Sequence, residues 1–209
     1  ARTSPTPLSG ISPAPCGAMP ALRPLPPPPP PRPGDAFPID RVLDAVADAV
    51  RPYPRAAMFA LRDGDGGATP HASLFEQLVA CILSIRTTDE VSLPAARRLL
   101  ARAATPAALA ALTPRAVDAL IADVTFHDRK AEQLVALARR VETEFGGALP
   151  ADADVLTSLA GVGPKCAHLA LGVATGAAHI SVDVHVHRVT NRWGYVAAPT
   201  PERTLRALE

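Results

Sequence analysis

Residues 159–166 read LAGVGPKC. Gly161 and Gly163 stand on either side of Val162, so a tight turn can form with no Cβ atoms in the way. Pro164 suits the first position of a following helix, where its missing N–H is no loss. The pattern is therefore helix, hairpin, helix. Such a hairpin is either a plain interhelical turn or a phosphate grip, because its amides and the next helix's N-terminus face outward.

The flanking sequence is helical almost throughout. Ile39, Val42, Leu43, Val46 and Val50 repeat at spacings of three and four, and Pro52 and Pro54 end that helix. Residues 62–70, RDGDGGATP, form a turn-rich loop. Ser73 and Glu76 make a capping box ahead of Leu74, Leu78, Val79, Ile82 and Leu83. Ser92 can cap a helix to about residue 103, and Asp128 can start one ended by Gly146 and Gly147. Thr105–Pro106, Thr113–Pro114 and Thr200–Pro201 each place a cap residue before a first-turn proline. Asp152 begins a short helix to Leu159, and another runs from Pro164 to Thr175. Residues 180–189, ISVDVHVHRV, alternate like a strand, but with no partner strand evident they read as a loop entering a helix. The fold class is all-α.

Composition narrows the function. The first 38 residues hold 14 of the 24 prolines, six of them consecutive, and read as an extended, disordered tail. From residue 39 onward 18 basic residues face 19 acidic ones, so overall charge points to no polyanionic partner and local sites must carry any such role. Apolar runs such as 78–83 are too short to span a bilayer. Cys16, Cys81 and Cys166 are scattered and suggest neither a disulfide framework nor a metal ligand set; a reducing cytosol suits them.

Two residues near the hairpin carry chemistry. Lys165 is one of only two lysines among 21 basic residues and stands in the first turn of a helix. The helix field and partial burial there should lower its pKa, freeing a neutral amine for Schiff-base formation; a simple phosphate contact is the other reading. Asp183, between Val182 and Val184, either caps the next helix or serves as an acid–base group beside Lys165. The two roles are compatible. A metal site from Asp183, His185 and His187 would need a strand, which the stretch does not favour.

LAGVGPKCA followed by SVDVHVHRVTNR resembles the helix-hairpin-helix, Gly/Pro-rich loop and aspartate signature of the endonuclease III family of DNA glycosylases. LVACILSIRTTDE at 78–90 and FHDRKAEQL at 126–134 agree in order and spacing, and the resemblance covers roughly residues 39–209. It implies a six-helix barrel at 71–190 and a second lobe from residues 39–70 and 191–209, the latter truncated. It implies base excision repair of double-stranded DNA by a monomer, with no membrane partner, in a bacterial cytoplasm or nucleoid. Lys165 matches the nucleophile that attacks the sugar C1′, making a bifunctional glycosylase and AP lyase active on oxidised pyrimidines. Asp183 matches the essential aspartate, and Gly161, Val162 and Gly163 the phosphate-gripping hairpin.

The reaction needs the base turned out of the duplex. Arg86 occupies the place of the residue that fills the vacated gap, or contacts phosphate; Phe126 occupies that of an apolar wedge, or is ordinary core. Asp89 resembles a base-pocket residue, with helix capping an equal contender. Lys130 binds phosphate or pairs on the surface, while His185 and Arg188 lie near the DNA backbone. Ala160, Pro164 and Thr125 depart from the proline, basic residue and glycine usual in relatives. Relatives usually carry four cysteines holding a [4Fe–4S] cluster; these are absent here, so no bound cofactor or metal is expected of this chain. Two other readings remain: a non-catalytic hairpin DNA-binding module or degenerate fragment, and an adenine-type monofunctional glycosylase. Lys165 argues against the latter, which usually lacks a lysine there.

Overall fold

The helices begin where side-chain capping satisfies their first amides. The computed structural model describes residues 37–64 and 67–209; the proline-rich segment 1–36 lies outside the described residues. At α3 (Leu74–Ser84), Ser73 Oγ accepts from the Glu76 amide at 3.3 Å and Glu76 Oε2 accepts from the Ser73 amide at 3.0 Å. Thr105, Thr113 and Thr200 cap α5 (Pro106–Ala110), α6 (Pro114–Leu120) and α11 (Pro201–Leu208), each with proline in the first turn. Asp152 caps α8 (Ala153–Thr157) through the amides of Asp154 and Val155. Each cap contributes about 1 kcal/mol. α1 (Ile39–Val50) and α9 (Pro164–Thr175) take the spans read from the sequence.

Three elements differ from the sequence reading, and a fourth, the stretch 180–189, follows it as a loop entering a helix. α4 runs over Asp89–Arg102, so Ser92 lies inside it, buried, rather than capping it. α7 (His127–Phe145) starts directly behind Phe126, whose left-handed backbone turns the chain. α2 (Ala57–Asp63), hidden by the prolines before it, buries Met58 and Leu61. The alternating stretch 180–189 passes as irregular chain to Asp183 and then becomes α10 (Val184–Arg192), because the Asp183 carboxylate supplies a helix cap and no neighbouring strand is available. No strand occurs among the described residues, and the fold is all-α.

α3 organises the core. Leu78, Val79, Cys81, Ile82 and Leu83 are fully buried, which is what an apolar helix surrounded by others requires. α2, α4, α7 and α9 pack around it, α5 and α6 pack on α7, and α8 folds back on α9. This bundle is all-α, as expected. Two groupings need correction. α2 belongs with the bundle rather than with α1, because its apolar side is buried against α3, α4 and α9. α10, expected within the barrel, pairs with α11: His187 Nδ1 meets the fully buried Thr204 hydroxyl at 2.7 Å, and Asn191 Nδ2 donates to the same hydroxyl at 3.5 Å. α1 buries no residue and leaves Leu43, Val46 and Val50 exposed.

Candidate active site

The hairpin between α8 and α9 is built around one obligatory glycine. Gly161 has φ +76°, and a Cβ there would stand 2.5 Å from Gln133 Nε2. That amide of α7 donates to the Ala160 carbonyl at 2.9 Å, while Arg140 donates to the Ser158 carbonyl at 2.6 Å, so α7 braces the turn from behind. Gly163, at φ −94°, caps α9 without a side chain and has open space over its Cα. The first amides of α9 are thus left for an external acceptor. Val162 departs from its expected role: its amide is spent on the Leu159 carbonyl at 3.1 Å and its side chain is buried. Any phosphate contact falls to the glycines and the first turn of α9.

Lys165 lies in that first turn and is exposed, so the partial burial anticipated for it is absent. Asp183 reaches it through the chain before α10. Ser181 Oγ donates to the Lys165 carbonyl at 2.9 Å, which ties this segment to the start of α9. Asp183 Oδ1 then accepts from the amides of His185 and Val186, both at 2.9 Å. Oδ2 has no hydrogen-bond partner among the described residues. Partial burial pushes the Asp183 carboxyl up, but the Val186 and His185 amides and the charges of Lys165 and His185 outweigh it and hold it below the usual range. One carboxylate thus caps a helix with one oxygen and keeps an ionised oxygen available near Lys165. Nothing in the sequence marks Ser181 for this part.

Two further loops reach the same end of the bundle. Cys81, in α3, and Cys166, in the first turn of α9, are buried in the same core, and the neighbouring Cys81 and burial push the Cys166 thiol well up. The C-terminal end of α3 therefore lies beside the N-terminal end of α9, and cysteines distant in sequence are neighbours in space. Just beyond α3, Arg86 is exposed at φ +55°. Just before α7, Phe126 is exposed at φ +58°. These are the two non-glycine residues with positive φ among the described residues, each costing about 1 kcal/mol of backbone strain. At 49% exposure Phe126 is not core, which removes one of its two readings.

Lys130 contradicts its expected DNA contact. It is 5% exposed, with Nζ donating to the carbonyls of Leu83 at 2.9 Å and Ile85 at 2.6 Å and to Thr87 Oγ1 at 3.4 Å. Its charge is consumed by the end of α3, and desolvation lowers its pKa from 10.5 to about 8. Asp89 caps a helix, but not its own: Oδ2 accepts from the Ala57 amide at 2.9 Å, at the start of α2. Arg188 donates to His185 Nδ1 at 2.9 Å, and both are exposed in α10.

The residues do not fit a four-thiolate cluster. Cys81 and Cys166 are the cysteines among the described residues, both buried between α3 and α9. Among the described residues no group of three or more His, Cys, Asp or Glu side chains could hold a metal ion, and the Asp183–His185–His187 alternative falls because these residues wind onto a helix. No helix among the described residues is long and apolar enough to cross a membrane.

Comparison with known proteins agrees with this geometry. Residues 79–209 match the model of the HhH-GPD superfamily base excision DNA repair proteins. The chain is 38% identical over 148 residues to bovine endonuclease III-like protein 1, covering 69% of this chain and 48% of the relative. It is 37% identical over 135 residues to endonuclease III of Thermotoga maritima, covering 65% and 63%. It thus spans about half to two thirds of the length of these relatives. A solved non-covalent endonuclease III–DNA complex superposes with TM-score 0.68 at 27% identity, covering 81% of this chain and 74% of that one. A trapped endonuclease III–DNA covalent intermediate superposes with TM-score 0.67, also at 27% identity. The chain belongs to the HhH-GPD superfamily of base excision DNA repair proteins.

Proposed function

We propose that this protein, acting as a monomer, is a DNA glycosylase and AP lyase that removes oxidised pyrimidines from duplex DNA and cleaves the resulting abasic site. The observation that carries this reading is the junction of Lys165 and Asp183 through Ser181, beside an α9 N-terminus with no side-chain cap. A phosphate on the first amides of α9 would bring the adjoining sugar to Lys165. Asp183, ionised at neutral pH, takes the ammonium proton. The Lys165 amine bonds to C1′ as the C1′–N bond to the base breaks; the base leaves with the proton that Asp183 took, and the restored carboxylate steadies the positive charge left on the sugar and Nζ. Ring opening, with a proton passing from Nζ to O4′, gives a Schiff base between Nζ and C1′. Loss of the C2′ proton then expels the 3′ phosphate by β-elimination, and water releases the lysine.

Phe126 and Arg86 are read as the groups that enter the duplex when the target nucleotide leaves it. Their exposure supports this, as does the strained backbone that holds both outward.

Borohydride reduction of the chain mixed with duplex containing thymine glycol, or an abasic site, tests the proposal. Wild type should give a covalent adduct and Lys165→Ala none. Binding without any adduct would assign the chain instead to a non-catalytic hairpin module. Release of adenine without an adduct would assign it to the monofunctional class.

A further inference from the structure

The two strained tips are physically joined. Thr87, directly after Arg86, offers its hydroxyl to the amide of Thr125, directly before Phe126, at 3.2 Å. The same hydroxyl accepts from Lys130 Nζ, which also donates to the carbonyl of Ile85, directly before Arg86. The loop of contacts closes through the backbone, since the Lys130 amide donates to the Phe126 carbonyl at 3.0 Å. Three ammonium protons meet three acceptors, so the buried lysine is fully used. A cation at the C-terminal end of α3 also suits the helix dipole.

We propose that Lys130 and Thr87 form an internal clamp that locks the Arg86 and Phe126 tips into one rigid unit, so that the two enter DNA together rather than independently. Lys130 and Thr87 are positioning residues here and touch no reacting atom. A left-handed conformation at a non-glycine residue persists only where its surroundings over-determine it. At both tips this one hydroxyl and one ammonium add to a local backbone turn, Thr87 N–H to the Ser84 carbonyl and His127 N–H to the Val124 carbonyl, both at 3.1 Å. Each tip's geometry therefore depends on the other, although 38 residues separate Thr87 from Thr125. The role in DNA rests on the function proposed above, whereas the clamp itself does not.

The full chain serves for the test, with Thr87→Val, which keeps the shape and removes the hydroxyl, and Lys130→Met, which keeps the stem and removes the ammonium. Amide hydrogen exchange at Thr125 reads the clamp without reference to activity. Both variants should accelerate it by about tenfold or more. Unchanged exchange in both overturns the clamp. Borohydride trapping is then compared on an abasic site in duplex and in a single-stranded oligonucleotide, where no gap needs filling. Trapping on duplex should fall by about tenfold in each variant while the single-strand rate stays within about twofold. If both rates fall together, or neither falls, the coupling to DNA entry is overturned. If wild type traps neither substrate, the proposed function fails, and the exchange measurement alone decides the clamp. Should Lys130→Met fail to fold, Thr87→Val carries both readouts.

Discussion

Ser181 Oγ donates to the carbonyl of Lys165 at 2.9 Å, two residues before Asp183. Together with the buried Val182 side chain, this bond anchors the irregular chain leading into α10 against the start of α9. Proximity between a nucleophile and its proton acceptor is sensitive to displacements of an ångström. Ser181→Ala should therefore slow base release by about tenfold in single-turnover assays, with DNA affinity changed by less than about twofold. Equal losses in rate and affinity would show that Ser181 shapes the DNA surface instead.

Asp183 caps α10, and the proposed function gives it a second role that different substitutions separate. Asn is a good helix cap, so Asp183→Asn should cost under about 1 kcal/mol of stability, while Asp183→Ala should cost about 1 kcal/mol. Both should slow base release by about a hundredfold or more. The depressed carboxyl also leaves a pH signature. Its stabilisation is complete above the ordinary value of 3.8 and fades as pH falls through the lower folded value. Acid unfolding of Asp183→Asn should lack that component, which denaturant titration at several acidic pH values would measure.

The hairpin glycines are not equivalent. Gly161→Ala places a Cβ in the left-handed region and against Gln133, and should lower stability by about 1–3 kcal/mol. Gly163→Ala meets open space and should cost less than about 1 kcal/mol. Its new methyl group stands where a phosphate would approach, so DNA binding should weaken and lose part of its salt dependence. Thermal unfolding and binding isotherms at two salt concentrations separate the two effects.

Under the proposed function, Phe126 trades stability for entry into the duplex. Phe126→Gly relieves the left-handed strain, so its stability should match or exceed wild type, by up to about 1 kcal/mol. Trapping on duplex abasic DNA should nonetheless drop by about tenfold or more, because nothing apolar remains to enter the stack. A variant that is less stable and equally active would overturn the wedge assignment.

Lys130 predicts an unusual alkaline response. Between about 8 and the ordinary 10.5 the unfolded chain keeps this proton while the folded chain releases it, so the stability contributed by this group rises with pH across that window. Lys130→Met should lack the rise. Denaturant unfolding of both proteins near pH 7.5 and near pH 10 gives the comparison, and parallel behaviour would refute the buried ionisable role.

Much of this protein was legible in its residues, because capping chemistry, apolar period and glycine conformation are local. The capping box at Ser73–Glu76, the threonine–proline helix starts, and the turn at Gly161–Gly163 depend on neighbours a few positions away, so sequence alone determined them. The same holds for Lys165 and Asp183 as candidates. It does not hold for how they meet. Ser181 on Lys165, Thr87 between Arg86 and Thr125, and Cys81 against Cys166 join segments 16, 38 and 85 residues apart. Such contacts follow from how α3, α7 and α9 pack, which no local pattern encodes. Lys130 shows the consequence most clearly: in the sequence it is a cation suited to phosphate, and only the packing of α7 against the end of α3 turns it inward, where three acceptors meet its protons.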